Sequence, residues 1–180
     1  MPNDQTPDAE AGPGPVKPTA EELRAQRKRE RSAARLYAVQ ALYQMEAMGQ
    51  AIDRVRVEFE DHRFGMTVDG VEFAEGNVDH FRRTLDEAVA HQARIDQMTD
   101  RALADRWPIA RLDPVLRALF RAGGAELVAT DTPPKVVISE YVEVARAFFP
   151  ETGEGGSKEI GFVNAVLDQM AREAKPGAFS

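Results

Sequence analysis

The 180-residue sequence contains no cysteine, which excludes a disulfide framework, a thiol nucleophile, a cysteine-ligated zinc site and an iron–sulfur cluster. It lacks any apolar run approaching the roughly 20 residues of a bilayer crossing, and its N-terminus has neither the basic nor the apolar region of a secretory signal. A cytoplasmic protein is expected. Histidine is scarce: the three residues His62, His80 and His91 have a spacing unlike any closed or catalytic zinc site. There is no glycine-rich phosphate loop, no G-x-S-x-G elbow and no dinucleotide fingerprint. Gly153-Glu154-Gly155-Gly156 has neither the preceding strand nor the lysine that a phosphate loop requires. Acidic pairs such as Glu58 with Asp61 and Glu140 with Glu143 read as solvated helix faces rather than as a general acid and base. Neither an enzyme nor a cofactor or metal site is expected.

Positive charge is also in deficit. With 23 Lys and Arg against 30 Asp and Glu, the net charge is −7, which at first sight argues against a polyanionic partner. Clustering matters more than the total. Arg24, Arg27, Lys28, Arg29, Arg31 and Arg35 crowd into one segment, whereas the acids are scattered. The hydrophobic and charged fractions, 43% and 29%, are those of a soluble globular chain, long enough for one domain or two small packed subdomains.

Periodicity predicts an all-α protein of about six or seven helices with a possible small hairpin or loop insertion near residues 64–76. Residues 1–18, rich in Pro, Gly and Asp, cannot offset the entropy of ordering and read as a disordered tail. The folded unit is expected over 19–175, with a flexible end at 176–180. Thr19 and Glu22 have capping-box spacing and Gly49 supplies a stop, so a long helix fills the interval. A shorter helix carries Ile52, Val55 and Phe59, and Asp69-Gly70 marks the hairpin turn. Phe81, Leu85 and Ala88, then Ile95, Met98 and Leu103, return at helical intervals across a break near His91. Asp113-Pro114 starts the next helix, whose stripe is Leu116, Leu119, Phe120, Gly123 and Leu127. Ile138, Tyr141, Ala145 and Phe148 define another up to Pro150. After a flexible loop at 153–156, Ser157 caps a last helix carrying Ile160, Val163, Leu167 and Met170.

The basic segment carries the strongest functional signal. Arg24, Arg27, Lys28, Arg31 and Arg35 fall at i, i+3, i+4, i+7 and i+11, on one helix face. Such a row repels itself and offers phosphate contacts along one line, so a polyanion would relieve it. Tyr43, two turns beyond Arg35, is placed to stack on an unpaired base. A solvated helix end and a core tyrosine would produce the same pattern.

Arg31-Ser32-Ala33-Ala34-Arg35 followed by Ala38-Val39-Gln40-Ala41-Leu42-Tyr43 resembles the opening signature of the NusB family. The order downstream agrees: Ile95-Asp96, Leu119-Phe120-Arg121 with Glu126-Leu127, Pro134-Lys135-Val136-Val137-Ile138-Ser139-Glu140, and Phe162-Val163-Asn164-Ala165-Val166-Leu167-Asp168. The resemblance covers about residues 27–172, except that 49–77 is longer than usual. It implies two packed three-helix subdomains, binding of single-stranded boxA RNA from ribosomal RNA leaders, and partnership with NusE, a small-subunit ribosomal protein. With other Nus factors and RNA polymerase, such a pair supports read-through of terminators. Some relatives self-associate as homodimers, which would hide the RNA face.

By the same resemblance Arg31, Arg35, Tyr43, Lys158 and Phe162 match RNA-facing positions, and Arg121 and Glu126 lie on the helix that meets NusE. Arg27 and Lys28 join the RNA face on helical spacing alone. Two departures stand out. Ser32 and Ala33 replace further arginines, which shifts the patch upstream, and Gly123-Gly124-Ala125 replaces a tyrosine next to Glu126. Two other functions fit parts of the pattern. One is the RNA-binding front end of an rRNA cytosine methyltransferase, which would need a doubly wound domain after Ser180; the other is a protein-only scaffold.

Overall fold

A computed structural model describes residues 17–103, 108–150 and 156–179, without the side chains of 156 and 157. Most of the expected tail, residues 153–155 of the expected glycine loop, and Ser180 lie outside the described residues.

The described residues form seven α-helices: α1 Ala20–Met48, α2 Ile52–His62, α3 Val78–Ala90, α4 Gln92–Ala102, α5 Pro114–Ala129, α6 Pro134–Phe148 and α7 Gly156–Ala174. Their ends follow local chemistry. Thr19 and Glu22 complete the capping box of α1, and Gly49 closes it in the left-handed region at φ 62°. Asn77 accepts from the His80 amide to cap α3, and Asp113 accepts from the Val115 amide to cap α5, with Pro114 at its first position. The stretch Val136-Val137-Ile138 is helical, its buried face being Val137, Tyr141, Val144 and Ala145. Helix α7 starts at Gly156, so the expected loop ends one residue sooner and Ser157 is inside the helix.

Between α2 and α3, β1 Thr67–Val68 pairs antiparallel with β2 Val71–Glu72. Asp69 and Gly70 have φ of 51° and 79°, the double positive φ that a type I′ turn demands and Gly tolerates without strain. Both strands are exposed, so this segment is tied down elsewhere. Phe64 packs on Tyr37 with ring centroids 4.7 Å apart, Phe59 stacks on Phe81 at 5.8 Å, and the Tyr37 hydroxyl donates to the Ala74 carbonyl at 2.7 Å.

Helices α1–α3 make one bundle and α4, α6 and α7 a second. Helix α5 packs on members of both. It is buried at ten positions of its sixteen, including Leu119 and Phe120, neither exposed at all. A Cβ on Gly124 would come within 2.4 Å of Ile95 Cγ2, and one on Gly123 within 3.0 Å of Leu167 Cδ2. Close approach of α4 and α7 therefore accounts for both glycines, at roughly 1 kcal/mol of helix propensity each relative to alanine. Residues 176–179 form a 3₁₀ turn with the Arg172 guanidinium 4.7 Å from the Phe179 ring centroid.

Candidate nucleic-acid interface

The first turns of α1 project past the body. Residues 17–29 are all exposed, and the first inter-element hydrogen bond is from the Asn77 amide to the Glu30 carbonyl, 2.9 Å. Arg24, Arg27, Lys28 and Arg31 stand on this overhang, exposed and without an ion pair among the described residues. The row is not confined to the overhang. Arg31, Arg35, Ala38 and Leu42 succeed one another by four, three and four residues, so the basic stripe runs directly into the buried one.

Arg35 is the correction. Expected on the surface, it is 5% exposed, because at its level the stripe is covered by α5 and α6. Its Nε donates to both oxygens of Glu126 at 3.1 Å, and its Nη1 lies 3.2 Å from Glu140 Oε2. Glu126, expected to face a protein partner, is 1% exposed and is consumed by Arg35 on one side and His80 of α3 on the other. Burial raises the Glu126 carboxyl, but the His80 hydrogen bond and the Arg35 charge outweigh it and leave the pKa below the ordinary 4.5. Ser32 donates to Glu140 at 2.7 Å. Two carboxylates, a guanidinium, an imidazole and a hydroxyl thus close a buried network joining four helices. His80, Ser32 and Glu140 were not singled out for it, since no local spacing relates α1, α3, α5 and α6.

Arg121 is half-buried, gripping Asp96 of α4 through two hydrogen bonds of 2.9 Å and Glu46 of α1 through a third of 2.9 Å. Arg117 shares Glu46, whose carboxyl is held below its ordinary pKa first by the Arg117 hydrogen bond. This network edges a cleft of about 410 Å³ that also contains Met45 and Val89. Arg121 is therefore engaged within the chain and reaches the surface only in part.

Tyr43, Lys158 and Phe162 fall on grooves that flank one structural feature. Tyr43, 41% exposed, lines a groove of about 440 Å³ with Val115 and Phe148. Lys158 is exposed and Phe162 half-buried, the Phe162 ring meeting Phe120 edge-on at 6.2 Å; both line a second groove of about 420 Å³ with Leu116. Val115 and Leu116 are consecutive residues in the first turn of α5, so the two grooves lie on either side of that helix start. The arrangement offers aromatic faces beside a helix N-terminus, with an exposed cationic helix end on the same chain.

A family model described as NusB family matches residues 32–172. The transcription antitermination protein NusB of Nitrobacter hamburgensis is 47% identical over 151 residues, 83% of this chain and 91% of its own length; that of Maricaulis maris is 47% identical over 154 residues, 85% and 92%. Among solved structures, T. maritima NusB superposes with a TM-score of 0.62 at 26% identity over 82% of this chain and 95% of its own. A chain from the crystal structure of antitermination factors NusB and NusE in complex with dsRNA has the same fold, TM-score 0.62 at 24% identity over 81% and 98%. With a family match spanning most of its length and relatives approaching half identity, the chain belongs to the NusB family.

Proposed function

We propose that this chain is a transcription antitermination factor that binds single-stranded boxA-type RNA of ribosomal RNA leaders together with NusE. Acting with other Nus factors, it supports read-through by RNA polymerase. Residues 19–175 constitute the binding unit, working in the cytoplasm. The observation that carries the reading is the overhanging first helix: Arg24, Arg27, Lys28 and Arg31 are exposed and unpaired among the described residues, a line of cations with no structural employment. Tyr43, Phe162 and Lys158 add stacking faces and a further cation. Arg35 acts from beneath, anchoring the helix that carries the row, and Glu126 fixes Arg35 rather than meeting NusE directly. Relatives named as transcription antitermination proteins support the role, and a solved complex of NusB, NusE and dsRNA supports NusE and RNA as partners, the single-stranded form resting on the stacking faces above.

Fluorescence anisotropy of a labelled boxA RNA, titrated with the chain in the presence and absence of NusE at several salt concentrations, tests it. The expected result is tighter binding with NusE and a log–log salt slope of about −0.7 per phosphate contacted. No preference over scrambled RNA under either condition would reassign the protein to protein-only scaffolding.

A further inference from the structure

The groove at the start of α7 contains more than the two residues already named in it. It also takes in Arg111, the last residue of the 3₁₀ turn Ile109–Arg111. Arg111 stands there exposed, lining the same groove as Lys158, and neither has an ion pair among the described residues. Apolar side chains line it with them: Leu112 is 5% and Leu116 7% exposed, and the Phe162 ring joins them. At about 420 Å³ the space lies within the roughly 300–1,000 Å³ of small-ligand sites, the scale of one nucleotide rather than of a docked helix.

Two acids also line it. Asp113 is occupied, its Oδ1 accepting from the Val115 amide at 2.8 Å as the cap of α5. Glu159 is not: its Oε2 is shielded from water and receives no hydrogen bond among the described residues. A shielded carboxylate oxygen left without a donor is unfavourable, and a ligand supplying donors there would remove the penalty. The groove therefore combines apolar side chains for a flat ring, two exposed cations for the phosphodiester, and a carboxylate oxygen without a donor.

We infer that this groove is a nucleotide pocket selective for guanine, in which Glu159 accepts from the Watson–Crick edge while Arg111 and Lys158 hold the adjoining phosphates. Of the four RNA bases only guanine presents two adjacent donors on that edge, N1–H and the N2 amino group, matching the two oxygens of a carboxylate. Adenine and cytosine place an acceptor beside their single amino group, and uracil flanks its one donor with two carbonyls. An unmatched acceptor edge repels Glu159, so the residue discriminates as well as attracts. The pocket adjoins the Tyr43 groove across the first turn of α5, so an RNA strand seated there continues along the proposed interface. The inference rests on the reading that the chain binds single-stranded RNA.

The test uses the full chain and three short uridine-rich RNAs, identical except for one guanosine, inosine or adenosine, titrated by anisotropy at several salt concentrations. Inosine differs from guanosine only by the N2 amino group. The guanosine probe is expected to bind roughly tenfold tighter than the others, the size of a good bidentate base contact. E159Q, with its thermal melt unchanged, erases that preference. R111A weakens all three probes and reduces the log–log salt slope by about 0.7, one single-strand phosphate contact. Equal affinity of the unaltered chain for the three probes, or an E159Q that keeps the preference, overturns the inference while leaving RNA binding intact. So does an R111A that binds every probe normally but loses NusE, which would give the groove to a protein. Failure of the unaltered chain to bind any probe, and boxA RNA as well, sinks the antitermination reading itself.

Discussion

At the scale of single residues, Arg31 and Arg35 share a helix face and have opposite employment. Arg31→Ala removes a cation that is exposed and without an ion pair among the described residues, and should leave the thermal melt in place while weakening RNA binding. Arg35→Ala leaves Glu126, 1% exposed, with only His80 to balance it, and should cost about 3–5 kcal/mol in denaturant unfolding. Equal stability of the two variants would show that the buried network is not what holds α1. The network also sets an acid limit. Glu126 ionises more readily in the folded chain than in the unfolded one, so its contribution is complete above the ordinary carboxylate pKa of 4.5. It is lost as the pH falls below that value and through the lower folded one. In E126Q the acid limb of the stability curve should be shallower; an unchanged limb would assign acid sensitivity to other carboxylates, such as Glu46. The sequence disclosed Arg35 as part of the row because spacing reveals a face. It does not reveal where along that face a neighbour's cover begins, and Glu126 lies 91 residues away.

Among the elements, α5 was the most legible and also the most informative. Asp113-Pro114 marks its start, and the stripe from Leu116 to Leu127 matches what is buried, since capping and periodicity are local chemistry. The insertion was legible at its turn, because Asp69-Gly70 writes a type I′ hairpin into two residues. It was not legible at its anchor, the Tyr37–Phe64 contact, which joins separate segments. The glycines of α5 invite a direct experiment. In isolation Gly124→Ala should favour the helix by roughly 1 kcal/mol, yet the added methyl would press on Ile95 Cγ2. Overpacking of this kind costs about 1–3 kcal/mol, so Gly124→Ala should lower stability overall in a chemical melt. A rise would mean that α4 retreats freely.

On the scale of the whole molecule, α5 packs on members of both bundles, so the two are expected to unfold as one cooperative unit. Leu119 is fully buried, and Leu119→Ala should cost about 2–5 kcal/mol, with Val163→Ala at roughly half that. Both variants should still unfold in a single transition, seen alike by circular dichroism and hydrogen exchange. Separate transitions would mean that the bundles fold independently. Composition gave a misleading total here: a net charge of −7 coexists with a local cationic edge, which only position along a helix could disclose.

The overhang of α1 has no core to hold it: among the described residues it has its capping box, the Gln26–Glu30 side-chain hydrogen bond and its own backbone bonds. Like charges spaced three and four residues apart oppose helix formation, and dissolved ions screen that opposition. Added salt therefore firms the free helix while it loosens the grip on a polyanion. The two responses pull in opposite directions, so a titration over salt will register fewer phosphates than the arginines touch. The shortfall measures how much of the helix is completed by the ligand: this end of the protein is an ionic-strength gauge whose zero is set by its own self-repulsion.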